Sequence, residues 1–166
     1  LVGGNTALVT AMLVNNEIGS IQPIARMAQI LKRKNPRACL HVDAVQGYCK
    51  VSCDAKSLGA DLISISGHKI HGPKGVGVLY VKKPFIFGGG QQDNLRPGTE
   101  NVPGIAGIGL AAKLCHQNMA EAVPRMDALR RRLEDGIRKN IPDIQINTPE
   151  VCAPHILNVS FAGVRS

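Results

Sequence analysis

Lys69 stands in the segment Ser66-Gly67-His68-Lys69-Ile70-His71-Gly72-Pro73-Lys74-Gly75, directly after the apolar run Leu62 to Ile65. A lysine at the carboxyl end of a buried strand, flanked by a hydroxyl and an imidazole, suits Schiff-base chemistry. Burial or neighbouring cations lower an amine's pKa and free its lone pair. Asp43 closes a second such run, Leu40-His41-Val42, and Asn15-Asn16-Glu17 closes a third. A Schiff-base lysine and an acid that can meet a pyridinium nitrogen are the two groups that pyridoxal 5'-phosphate (PLP) requires. Gln46, following Asp43, could hydrogen-bond the ring hydroxyl. Ser66, the His68 imidazole and nearby backbone N–H groups could hold a phosphate. Taken singly, each residue has a plainer reading. Lys69 is also readable as a surface-loop lysine, Asp43 as a cap or a partner for a buried cation, and Gln46 as a polar turn residue. Asn at a strand end is usually a turn former. Together the three strand ends make one candidate site, because open α/β sheets bind ligands beyond the carboxyl ends of their strands.

The elements that must position these residues follow from the apolar pattern. Ala7 to Val14 reads as a buried strand. Pro23 sits where a first helical turn should start, and Ile24, Met27, Ile30 and Leu31 follow at helical spacing. Lys32, Arg33 and Lys34 suit the negative end of that helix, and Asn35-Pro36 stops it. Ala38 to Val42 is a short strand. Asp54 caps a short turn of helix through Leu58, and Gly59 closes it. Asp61 to Ser66 is the next strand. This alternation predicts a mostly parallel sheet of an α/β fold. Val76 to Val81 follows too soon for a parallel crossover, so it is expected to run antiparallel. Gly88-Gly89-Gly90-Gln91 reads as a flexible or tightly turned loop. One helix is expected from Pro103 to about Met119 and a second from there to Lys139, with Pro124 tolerated in its first turns. Ile144 to Ile146 and His155 to Phe161 read as strands. The pattern divides the chain into 1–118, part of a large ligand-binding domain, and 119–166, the start of a small α+β domain.

Composition narrows the classes of function. The 166 residues suffice for a sizeable core, and the 44% hydrophobic content is ordinary for a globular protein. No apolar run approaches the roughly 20 residues of a membrane span, and no signal peptide begins the chain. The net charge of +8 permits anionic partners. Its basic residues do not interleave with aromatics, so stacking platforms for nucleic acid are not expected. The five cysteines, Cys39, Cys49, Cys53, Cys115 and Cys152, include no metal-ligand spacing. Cys39, Cys115 and Cys152 read as core thiols, and nothing marks Cys49 or Cys53 as activated. A reducing, cytoplasmic setting fits them. Gly72-x-x-Gly75-x-Gly77 lacks the Gly-Lys-Ser/Thr ending of a nucleotide loop and precedes a strand.

Five segments, in order, resemble the cysteine desulfurase family, PLP enzymes of the class V aminotransferase group. They are Asn15-Asn16-Glu17-Ile18-Gly19, His41 to Gln46, Ser64 to Gly75, Gly88-Gly89-Gly90-Gln91 and Arg96-Pro97-Gly98-Thr99-Glu100-Asn101. The resemblance implies the fold-type I large domain and the conversion of L-cysteine to L-alanine. Sulfur would leave as an enzyme persulfide, pass to a sulfur-acceptor protein and serve iron–sulfur cluster assembly. It further implies that Lys69 carries the cofactor and shuttles protons, Asp43 pairs with the pyridine nitrogen and Gln46 with the ring oxygen. Asn16 would touch cofactor or substrate, and Ser66 and His68 the phosphate. Thr99 would reach the phosphate of the other subunit's cofactor, which implies a homodimer. Selenocysteine lyases share these motifs, and an incomplete, inactive PLP-fold chain is the alternative from another class. Both ends read as cuts, so the chain is expected to be the middle of an enzyme and inactive alone. The family's N-terminal phosphate ligands and stacking histidine, its nucleophilic cysteine loop and its substrate-carboxylate arginine are not matched here. The stretch from Lys82 to Gly88 also looks shorter than the family's.

Overall fold

In the computed structural model, residues 2–82, 90–92, 94 and 96–164 are described. The short Lys82 to Gly88 stretch and the Gly88-Gly89 start of the glycine loop fall mostly outside them. β1 (Leu8–Met12), β2 (Cys39–Asp43), β3 (Leu62–Ser66) and β4 (Gly77–Val81) form one sheet in that order. β1 and β3 each pair parallel to β2, and β4 pairs antiparallel to β3. Both expectations for the sheet are met. The Lys69 segment between β3 and β4 is too short to carry a parallel crossover.

α1 (Ile24–Lys34) makes the first crossover. Ile24, Ala28 and Leu31 are buried, at the spacing that puts them on one face. Ile30 lies about a third of a turn off that stripe and is exposed, contrary to the expected pattern. Below α1 lie Leu40, Val42 and Ile63, all buried on one side of the sheet. Each large side chain in this layer contributes about 1.5–3 kcal/mol over leaving it in water. Asp61 pins the layer's edge. Its Oδ2 accepts from the Leu40 N–H and from Lys32 Nζ, each at 2.9 Å. Burial pushes this carboxyl up, but those hydrogen bonds and the Lys32 and Lys82 charges bring it below the ordinary range.

The second crossover holds α2 (Ala55–Leu58), with the expected ends. Asp54 Oδ2 accepts from the Ser57 N–H at 2.7 Å, and Gly59 closes it at φ 67°. Its packing is close as well, since a Cβ on Gly59 would stand 2.9 Å from Ala28 Cβ.

The chain from Val102 is one helix, α3 (Val102–Asn140), and not two. Pro124 lies inside it. Ala120-Glu121-Ala122 after Met119 are strong helix formers and no Gly lies between Met119 and Pro124, so propagation outweighs Asn118 and the one bond lost at Pro124. The sequence division at 118/119 therefore falls inside a continuous helix. β5 (Ile144–Ile146) pairs antiparallel with β6 (Val159–Phe161) as a separate two-stranded sheet. β6 is shorter than the expected strand from His155. Ahead of it the chain turns at Pro154-His155 and packs on the loop after β1, through Ala153 N–H to Gly19 O at 2.8 Å and Asn158 Nδ2 to Glu17 O at 3.2 Å. No described helix is long and apolar enough to cross a membrane.

Candidate active site at the strand ends

Strand pairing sets the site's frame. Met12 pairs with Asp43, and Asp43 with Ser64, so the carboxyl ends of β1, β2 and β3 lie side by side. Alternation puts Thr10, His41, Asp43, Ser64 and Ser66 on the sheet face away from the α1 layer. A hydrogen-bonded chain crosses that face. Thr10 Oγ1 meets His41 Nδ1 at 2.7 Å, and His41 Nε2 meets Ser64 Oγ at 3.1 Å. The three strands are thus tied just ahead of Asp43 and Ser66. The sequence hint was the polar residues Thr10, His41, Asp43, Ser64 and Ser66 at alternating positions within otherwise apolar strands.

Asp43 is half-buried, and its Oδ1 accepts from the Val45 N–H at 3.0 Å. That bond starts a run of turns from Ala44 to Lys50, which holds Gln46, also half-buried. Among the described residues, neither the second Asp43 oxygen nor the Gln46 amide has a hydrogen-bond partner. Asn15, one residue before the candidate, does the turn-forming: its Oδ1 accepts from Glu17 and Ile18 N–H at 2.9 and 3.0 Å. Asn16 is exposed and donates from Nδ2 to Glu17 Oε1 at 2.7 Å.

β3 runs directly into a one-turn 3-10 helix, Gly67–Ile70, which carries Lys69. Ser66 Oγ and His68 Nδ1 are 2.8 Å apart at its start. Gly67 is required there, because a Cβ would meet the Pro73 carbonyl oxygen at 2.8 Å. Lys69 is exposed and lines a cavity of about 520 Å³ between this turn, the Cys49-Lys50 segment and α3. Of the candidate residues, Lys69 alone lines that cavity. Thr99 is exposed on the segment leading into α3 and hydrogen bonds to none of the others among the described residues.

Three neighbours of Lys69 carried little signal in the sequence. Lys50 is half-buried, and its Nζ donates to the Lys69 carbonyl at 3.0 Å. Burial, above all, lowers its ammonium's pKa, and the charge of Lys69 acts the same way. Cys115 of α3 is half-buried, and its Sγ donates to the Ile70 carbonyl at 3.5 Å. Among the described residues, both ring nitrogens of His155 are buried without a hydrogen-bond partner. Burial, then the charges of Lys50 and Lys69, pushes its pKa down to about 4, so the ring is neutral. His155 sits in a segment that reads as strand, which hid its turn.

Cys39, Cys115 and Cys152 are half-buried rather than core residues, whereas Cys49 is buried. Cys49 lines the Lys69 cavity. Burial and then Cys115 push its thiol up to about 11. A protonated thiol is a poor nucleophile. Among the described residues no group of three or more His, Cys, Asp or Glu side chains could hold a metal ion.

The geometry offers an amine, an acid, two amides and a hydroxyl–imidazole pair at the ends of adjacent parallel strands. That set of donors fits PLP, which presents an aldehyde, a ring nitrogen, a ring oxygen and a phosphate. Comparison with known proteins gives the same direction. The family model "Aminotransferase class-V" matches residues 1–166. "Cysteine desulfurase IscS" of Clostridium botulinum strain Hall is 42% identical over 167 residues, covering 96% of this chain and 42% of the relative. The "Cysteine desulfurase" of Trichormus azollae is 45% identical over 164 residues, covering 95% and 40%. A solved "NIFS-LIKE PROTEIN" superposes with a TM-score of 0.91 at 43% identity, over 99% of this chain and 46% of that one. The chain spans less than half the length of these relatives.

Proposed function

This chain belongs to the class V aminotransferase family, and from that premise we propose that its protein is a PLP-dependent cysteine desulfurase. The observation that carries the reading is that strand pairing sets Asp43 level with Ser64, so that Asp43, Ser66 and the turn bearing Lys69 lie at one edge of the sheet, in a chain that aligns with cysteine desulfurases. Lys69 is the amine that holds the cofactor covalently and moves the substrate's proton. Asp43, with one oxygen bound to Val45 N–H, offers the other to the pyridine nitrogen. Gln46 meets the ring oxygen, Asn16 meets cofactor or substrate, and Ser66 with His68 holds the phosphate. Bound there, the cofactor supplies an electron sink for bond cleavage next to the substrate's amine.

In the reaction the C–S bond of L-cysteine breaks and the side-chain carbon gains a proton, giving L-alanine. The sulfur forms an S–S bond with an enzyme thiol, which becomes a persulfide and passes its outer sulfur to an acceptor protein. Iron–sulfur cluster assembly is the proposed destination. That thiol and the arginine for the substrate carboxylate are proposed to lie in the family length this chain does not span. Residues 1–118 are proposed as part of the large domain and 119–166 as the start of the small one. Thr99, which bonds to none of the site residues of its own chain, is assigned to the cofactor phosphate of a second subunit in a homodimer. Free cysteines suit a reducing compartment, and the cytoplasm is proposed.

The test is alanine and persulfide formation by the full-length protein with PLP. The reading expects L-cysteine turnover that is lost in Lys69→Ala. Turnover of selenocysteine alone would make the protein a lyase of that substrate instead. No turnover of either would favour an inactive PLP-fold chain.

A further inference from the structure

A one-turn helix cannot satisfy its own last carbonyls, and the turn that carries Lys69 borrows partners from elsewhere. The Gly67 carbonyl accepts from the N–H groups of His71 and Gly72. The Lys69 carbonyl takes Lys50 Nζ from the β2–α2 connection, and the Ile70 carbonyl takes Cys115 Sγ from α3. The Lys50 contact is the charge-assisted one, so it is the stronger of the two.

The chain bends sharply to deliver Lys50. Cys49, the residue before it, has φ 59°, a left-handed conformation costly for any residue with a Cβ. Strain of this kind persists only where surrounding contacts hold it. Gly47 sets up the bend, with its carbonyl accepting from the Lys50 and Val51 N–H groups. Among the described residues Lys50 forms no ion pair, so no carboxylate accounts for a half-buried ammonium at this place. α3 closes against the same turn. A Cβ on Gly107 would stand 2.6 Å from Pro73 Cγ, and one on Gly72 would stand 3.2 Å from Ala111 Cβ.

We propose that Lys50 is a positioning residue for Lys69: its ammonium caps the Lys69 carbonyl and fixes the backbone from which the Lys69 side chain springs. The inference rests on the assignment of Lys69 as the amine that holds PLP. Small backbone errors matter at such a residue, because the amine must meet the aldehyde carbon at reacting distance and angle.

The experiment uses the full-length protein with its PLP removed. Lys50→Met keeps the chain's bulk and removes the cap, while Lys50→Arg restores a donor cation. Two readouts are taken with the thermal midpoint as a control. One is hydrogen exchange at the His71 and Gly72 amides of the protein without cofactor. The other is the rate at which added PLP develops the absorbance band of its lysine-bound form. Loss of a charge-assisted hydrogen bond predicts roughly tenfold faster exchange and roughly tenfold slower attachment in Lys50→Met. Lys50→Arg should restore both, with the thermal midpoint of each variant within about 4 °C of the unsubstituted protein, so that global unfolding does not account for the exchange. If Lys50→Met does not fold, Lys50→Gln is measured in its place against the same expectation. Unchanged exchange, unchanged attachment, or no recovery in Lys50→Arg would overturn the inference. Failure of PLP to attach at Lys69 in the unsubstituted protein would instead refute the assignment of Lys69, and hydrogen exchange would still judge the cap.

Discussion

Cys49 shares a cavity with Lys69, yet it should be nearly inert toward disulfide reagents. Its thiol is pushed up to about 11 by burial first and then by Cys115, with Lys50 only partly opposing. At pH 7.5 an ordinary thiol is roughly 10% thiolate, and one at 11 is about 300-fold less so. A more basic thiolate is intrinsically more reactive, which offsets roughly tenfold of that deficit. The net expectation is about 30-fold slower exchange than in the unfolded chain, before shielding by the cavity walls is added. The assay compares native and urea-unfolded protein. Each is treated briefly with an aromatic disulfide at pH 7.5 and quenched, and the Cys49 peptide is quantified by mass spectrometry. Native Cys49 reacting as fast as unfolded Cys49 would refute the reasoning. It would mean a thiolate beside Lys69, and the nucleophile would then have to be sought inside this chain.

Three further outcomes follow from the same structure. His155 is held at about 4 when folded but titrates near 6.5 when unfolded. The unfolded chain therefore takes up the proton first, so stability is full above about pH 6.5 and declines toward pH 4. Urea unfolding at a series of pH values should show this, and His155→Gln should flatten it. Asp61→Asn removes the charge from an oxygen that accepts two hydrogen bonds and should cost about 1–3 kcal/mol at neutral pH. Because the folded carboxyl lies below its unfolded value, the contribution should disappear as pH falls below about 4, and an unfolding series that shows none would count against the contact. Pro124→Ala should restore a helix hydrogen bond to the Ala120 carbonyl and stabilise the protein by up to about 3 kcal/mol. No gain in denaturant midpoint would mean that α3 is broken there in solution.

The sheet was legible because its strands are short apolar runs with turn signals between them. The antiparallel β4 followed from connection length alone. The capped turn from Asp54 to Gly59 was readable residue by residue, because both ends use local chemistry. The long helix was not, since a boundary near Met119, with Pro124 in the first turns of a second helix, fits the local pattern as well as one continuous helix does. Asp43 and Ser66 could be picked out as candidates because each ends a strand, and Lys69 because it lies on the turn that follows β3. Lys50 and Cys115 could not, because they reach the lysine turn from 19 and 45 residues away through contacts that no local pattern encodes, and His155 is brought within reach of the Lys69 charge only by the fold.

Borohydride reduction of the full-length protein with PLP, followed by peptide mapping, tests the central claim most directly. The account predicts a single pyridoxyl group on Lys69 Nζ and none on the Lys69→Ala variant. A label on Lys50, which lines the same cavity, or on Lys56 or Lys74, would contradict it.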